Sequence, residues 1–127
     1  MTPAKANLTI YQGATFKKAF YWHTTVKPTK TSAPVDLTGC SVRMQIRPRH
    51  ASNQLIHDLT QNSHIMIGGA ALGEIIIDIP ASVTETFSFQ QAFYDIEVVF
   101  ENGDVFRVLE GGVSLSLGIT REGVANG

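Results

Sequence analysis

Apolar residues in this chain recur at every second position and almost nowhere at helical spacing, and that periodicity limits the fold more than any other feature. In "CSVRMQIR" Cys40, Val42, Met44 and Ile46 alternate with Ser41, Arg43, Gln45 and Arg47, the pattern of a half-buried strand. Pro48 stops it, and "PVDLTG" marks its start with Pro34 and Gly39. "GEIIIDIP" repeats the pattern, with Ile75, Ile77 and Ile79 on the better apolar face and Pro80 as the stop. In "YDIEVVF" Tyr94, Ile96, Val98 and Phe100 face one way, and Asp95, Glu97 and Glu101 the other. Asn102-Gly103 then predicts a type I′ hairpin turn, because that dipeptide tolerates two positive φ angles. The return strand is expected from Asp104 or Val105.

Weaker signals fill the rest. Phe16, Phe20 and Trp22 share a face in "ATFKKAFYW", preceded by a short strand in "NLTIY" and a turn at Gln12-Gly13. The segment from His23 to Ala33 has no periodicity and reads as an exposed loop. "QLIHDLT" and "HIMIGG" read as hairpin arms, and "GGAALG" as a turn. "ASVTETF" offers Ser82 and Glu85 as a capping box for one helical turn. A break at Gly111-Gly112 precedes a final strand carrying Val113, Leu115, Leu117 and Ile119. Seven or eight short strands separated by turns predict an all-β chain, an antiparallel β-sandwich of immunoglobulin-like or jelly-roll-like kind, with a closed barrel as the alternative. At 127 residues, one domain over 1–127 is expected.

Reactive groups are sparse. The one cysteine, Cys40, starts a core face and reads as a small buried hydrophobe. His23, His50, His57 and His64 lack metal-binding spacing, although a hairpin could bring His57 and His64 together. Asp95 and Glu97 share a strand face that alternation turns to solvent, which disfavours a catalytic pair. No catalytic residue, cofactor or metal site is therefore expected. No apolar run approaches the roughly 20 residues of a membrane span, and the N-terminus has no secretory h-region. Charge is unevenly spread: up to Ser63 there are eight Lys and Arg against two acids, and from His64 onward two Arg against nine acids. Either opposite charges meet across a sheet, or a basic patch meets an acidic patch on a neighbouring subunit. Arg43, Arg47 and Arg49 are the candidate interface residues, since arginine suits interfaces. Specific nucleic-acid binding is not expected, because stacking platform and basic footprint are both incomplete.

"NLTIYQGATFKKAFYW", "PVDLTGCSVRMQIRP" and "YDIEVVFENGDVFRVLEGGVSLS" together resemble small tailed-bacteriophage and prophage proteins built as β-sandwiches, similar in outline to the N-terminal module of phage baseplate upper proteins. The resemblance leaves out about Ala51 to Ile67, and Cys40 stands where such modules often carry an aromatic or aliphatic residue. It implies a non-enzymatic virion component, made in the host cytoplasm and present in several copies or as a homo-oligomer, that docks tail, baseplate or neck appendages such as fibres onto other virion proteins. A head decoration protein is the alternative it leaves open. A carbohydrate-binding sandwich would need exposed aromatics, whereas Phe16, Phe20, Trp22, Tyr94 and Phe100 fall on predicted core faces, leaving Tyr11, Tyr21, Phe87, Phe89, Phe93 and Phe106 open.

Overall fold

The computed structural model describes residues 2–26, 28 and 31–119, and the chain is all-β with eleven strands. In chain order these are β1 (Ala4–Lys5), β2 (Leu8–Tyr11), β3 (Phe16–Tyr21), β4 (His23–Val26), β5 (Thr31–Pro34), β6 (Ser41–Arg47), β7 (His57–Gln61), β8 (His64–Ile67), β9 (Glu74–Ile79), β10 (Gln91–Val99) and β11 (Val105–Ser116). Nine form one curled sheet, in the order β1-β11-β10-β6-β7-β8-β9-β3, with β2 also paired to β11. Pairing is mixed rather than wholly antiparallel: β1 and β2 run parallel to β11, and β7 runs parallel to β8. The curl wraps a core rich in isoleucine, in which Ile10, Ile46, Ile65, Ile77, Ile79 and Ile96 are fully buried. β-Branched side chains of this kind pack well on a pleated surface.

The alternation expected of β6, β9 and β10 is present, with Val42, Met44, Ile46, Ile75, Ile77, Ile79, Tyr94, Ile96 and Val98 all inside. Cys40 lies just before β6, half-buried against the core, and burial raises its thiol pKa. Phe16, Phe20 and Trp22 are only partly buried against the core, since β3 ends the sheet and pairs with β9 alone.

Several local expectations are corrected. The segment from His23 to Ala33 is not a bare loop but holds a separate antiparallel hairpin, β4 with β5. "QLIHDLT" and "HIMIGG" do each supply an antiparallel arm, but with β6 and β9 rather than with each other. Their strands meet at a corner where Asn62 and His64 both take positive φ, 65° and 70°, and the chain passes from pairing with β6 to pairing with β9. The capping box does not form: the short helix α1 (Ala81–Thr84) has Pro80 at its N-cap and no side-chain cap. It is held instead by Thr84, the one buried polar side chain among the described residues. The Thr84 hydroxyl donates to the Ala14 carbonyl at 2.8 Å and accepts from the Gly13 N–H at 3.1 Å, fixing the helix to the β2–β3 turn.

Nor does β11 break at Gly111-Gly112. It runs unbroken from Val105 to Ser116, and its phase changes earlier, at a bulge. Glu97 pairs with Arg107 and Ile96 with Leu109, leaving Val108 as the extra residue, so Val108 and Leu109 are both buried. The glycines serve another purpose. A Cβ at Gly111 would lie 2.0 Å from the Ala6 carbonyl oxygen, because the link between β1 and β2 presses directly on this position. Tyr94, opposite Gly111 in the register, donates its hydroxyl to that same Ala6 oxygen at 2.6 Å. Burial pushes the Tyr94 phenol up to about 12. Gly111→Ala should therefore destabilise by about 1–3 kcal/mol, the usual range for overpacking. Gly112→Ala should cost clearly less, since a Cβ there meets only the movable Gln91 amide at 3.1 Å. Thermal melting of the two variants checks the order.

The β10–β11 turn is also of a different type from that expected. Gly103 donates to the Phe100 carbonyl at 2.9 Å, Phe100 donates to Asp104 at 2.8 Å, and only Gly103 has positive φ, at 92°. This is a three-residue loop closed by a glycine bulge, not a type I′ turn. Asn102 contributes through its side chain, whose Oδ1 accepts from the Asp104 N–H at 2.9 Å. The two positions should accordingly separate. Gly103→Val should cost roughly 1–2 kcal/mol, the penalty for a left-handed backbone, and Asn102→Val about 0.5–1 kcal/mol for its two exposed hydrogen bonds with Asp104, as read by chemical denaturation.

Candidate functional site

The outer face of the curled sheet carries its polar residues in rows that cross the strands. One row runs Asp58, Gln45, Asp95, Glu110, Lys5, each paired in register with the next. Beside it, Arg43, Glu97 and Arg107 form a second, and Arg47 pairs with Phe93 in a third. Alternation puts these side chains together: the residues of β6, β10 and β11 that do not enter the core must all emerge on this face.

Asp95 and Glu110 are directly opposed, an arrangement that repels when both are ionised. Arg107 offsets it by reaching both, with Nε 3.3 Å from Asp95 Oδ2 and a guanidinium nitrogen 3.4 Å from Glu110 Oε1. Lys5 adds a second cation on Glu110, and its hydrogen bond is the main reason the Glu110 carboxyl sits below its usual range. Asp95 shifts the other way. Partial burial raises its pKa, Glu97 and Glu110 raise it further, and Arg107 and His50 only partly oppose them.

The three arginines singled out from the sequence do not act alike. Arg43 is committed to Glu97, at 2.7 Å. Arg47 bonds Gln45 Oε1 at 2.7 Å and the carbonyls of Ser52 and Gln54 at 3.1 and 3.2 Å, so it secures the loop after β6. Arg49 is exposed and has no ion pair among the described residues. It borders a hollow of about 120 Å³ with Arg47, His50, Phe93, Asp95 and Glu110, small beside the roughly 300–1,000 Å³ of ordinary ligand clefts. The His50 ring lies on Phe93, with centroids 4.6 Å apart.

The uneven charge along the chain is offset in part within the molecule. Lys5, Lys17 and Arg43 from the basic half pair with Glu110, Asp78 and Glu97 from the acidic half. Among the described residues no group of three or more His, Cys, Asp or Glu is placed to hold a metal ion. Sequence reasoning anticipated the proximity of His57 and His64, which approach to 2.8 Å. It missed the opposed Asp95 and Glu110, because their pairing depends on the β11 bulge, which shifts Glu110 into register. It also missed a partly apolar cleft of about 420 Å³ lined by Pro48, Leu55, Ile56, Phe87 and Phe89 together with Gln54, Thr86 and Ser88, formed by two segments with no alternation to read. Compared with known protein families and with curated proteins, the chain matches none of them.

Because its surroundings penalise ionised Asp95, this carboxyl takes up a proton more readily in the folded state than in the unfolded one. Stability therefore falls as pH rises from the ordinary aspartate value through the raised one. Asp95→Asn should melt at the same or a higher temperature than wild type at pH 7, and the difference should vanish near pH 3. A lower melting temperature at pH 7 would mean that the Arg107 ion pair outweighs burial.

Proposed function

We propose that this chain is a non-enzymatic structural component of a tailed-bacteriophage virion, an adaptor that docks tail, baseplate or neck appendages through protein–protein contacts. In this reading the curled sheet is a β-sandwich, present in several copies and joined to other virion proteins without membrane or specific nucleic-acid contacts. The observation that carries the proposal is the form of the polar face. Its charges are spread over at least four adjacent strands of one sheet face, around hollows of about 120 and 400 Å³, and that breadth suits a broad partner. The sequence resemblance to phage β-sandwich modules supports the same assignment. Two sheet ends, β3 and the β1–β2 side, have a partner on one flank only among the described residues, and such edges are common sites of strand addition.

Within this role the interface centres on Arg49 and His50. Arg43 and Arg47 are engaged inside the chain, so reversing them would disturb the fold as well as any docking. Arg49→Glu changes the exposed cation alone. It should leave the melting temperature within about 2 °C of wild type, in keeping with a surface change of under about 0.5 kcal/mol. It should reduce incorporation of the chain into particles assembled in an infected or induced host, since a reversed charge at an interface repels where the original attracted. Particles carrying a normal complement of the Arg49→Glu protein would place docking elsewhere, at the β3 edge before all.

A further inference from the structure

The β7–β8 corner holds two imidazoles in direct contact. His57 Nε2 lies 2.8 Å from His64 Nδ1, and the rings are 24° from coplanar with centroids 5.0 Å apart. A nitrogen contact that short between centroids that close must lie near the line joining the two rings, so the nitrogens point at each other. This is the geometry of a shared proton, with one N–H donating to the other ring's lone pair. A zinc ion on the same line would need the nitrogens about 4 Å apart, twice the usual Zn–N distance.

We propose that the His57–His64 contact is a proton-operated latch, closed at neutral pH and opened by mild acid, that holds the β7–β8 corner and the Phe87 wall of the apolar cleft in place. A neutral pair has one bridging proton. A first added proton can settle on an outward ring nitrogen and leave the N–H···N bond intact. A second has no such choice: each ring then carries N–H on both nitrogens, two donors meet head on, and two positive charges stand in contact. The contact must break.

The surroundings favour the closed form. Burial lowers the His57 pKa, the His64 ring lowers it further, and Asp58 opposes them weakly. Asp58 is on the same strand, and its carboxylate accepts from the Gln45 amide at 3.1 Å. The elements packed on His57 bring no other charge to it: β6 presents Ile46 in register, and the segment after α1 presents Phe87, edge-on at 5.8 Å. With the folded state holding the second proton less well than the unfolded chain, the stabilisation is complete above about pH 6.5 and is lost as pH falls below it. The corner is poised to respond, because Asn62 and His64 hold left-handed backbone there, a sparsely populated conformation that Asn and His nonetheless adopt more readily than most non-glycine residues.

The test is made on the isolated full chain between pH 7.5 and 5.0. Proton NMR of the histidine rings should show the His57 midpoint below the ordinary histidine value of about 6.5. Over the same range the melting temperature should fall, and fluorescence of the apolar dye ANS should rise as the cleft wall loosens. His64→Asn removes the second ring while keeping a residue that tolerates left-handed backbone. In it the His57 midpoint should move up toward about 6.5, and the acid-induced fall in melting temperature should shrink. A wild-type His57 that titrates at or above about 6.5 overturns the proposal, and so does an acid response unchanged in His64→Asn. Neither result bears on virion assembly, and loss of the assembly role would leave this latch standing.

Discussion

The contact between the Ala6–Asn7 link and Gly111-Gly112 decides how the two ends of the chain come together. β1 and β2 both run parallel to β11 in one constant register, Ala4 with Leu109 and Leu8 with Val113, so they act as one strand interrupted by two residues. The interruption lies where backbone meets backbone most closely. Only a missing side chain at Gly111 permits it, and Tyr94 and Gly112 supply hydrogen bonds to the Ala6 carbonyl and the Asn7 side chain. Parallel pairing of strands about a hundred positions apart carries a large loop-closure entropy. The close contact therefore has to be specific if it is to outweigh alternatives in which the N-terminal strand docks elsewhere. Lys5 reaches Glu110 only because this docking holds, so the polar face depends on it too.

That face is best understood as a compensated ladder. Opposite charges from the two halves of the sequence meet on neighbouring strands, and the one unfavourable pair, Asp95 with Glu110, is bridged by Arg107. Exposed ion pairs are individually worth little, so the ladder contributes more to which strand pairs with which than to total stability. A register slip would set carboxylate against carboxylate without the bridging cation and turn core residues outward at the same time. Arg49, on the same side of the sheet and without an ion pair among the described residues, is the arginine free to meet a partner.

Much of the frame was legible in the sequence wherever one strand face is buried and the other wet. β6, β9 and β10 announce themselves because Val42, Ile77 and Ile96 must be inside while Arg43, Asp78 and Glu97 must not. The β4–β5 hairpin left no such trace: its described side chains are almost all exposed, and a strand with no buried face has no period to read. The bulge at Val108 shifts the alternation by one residue, so the phase change looked like a break at the next glycines. The turn at Asn102 and Gly103 was located but mistyped, because the same dipeptide serves a two-residue turn or a longer loop closed by a glycine bulge. Parallel pairing and the corner at Asn62 and His64 depend on residues far apart in the chain, which local pattern cannot express. The candidate site was half legible for the same reason: its residues lay on predicted outward faces, but their neighbours across strands were set by registers that only the folded chain defines.

The corner also joins the two parts of the curled sheet mechanically. β7 pairs with β6 on one side, and β8 with β9 on the other. Beyond the short parallel pairing of Thr60 and Gln61 with His64 and Ile65, Thr60 and Ser63 exchange backbone hydrogen bonds of 3.2 and 2.7 Å across the change of direction. Gln61 turns its side chain back to accept from the Val42 N–H at 3.0 Å, and Asn62 donates its own N–H to Ile65 at 2.8 Å. Both bonds tighten the turn, but neither links β7 to β8 through side chains as the two imidazoles do. Leucine and isoleucine at these positions would also fill space between the strands. They could not fix the rings' relative orientation, because apolar contact is non-directional, whereas a hydrogen bond between rings is sharply directional. Backbone hydrogen bonds already hold the left-handed corner in a directional way, and the histidine pair adds a directional link between side chains in a form that acid can remove.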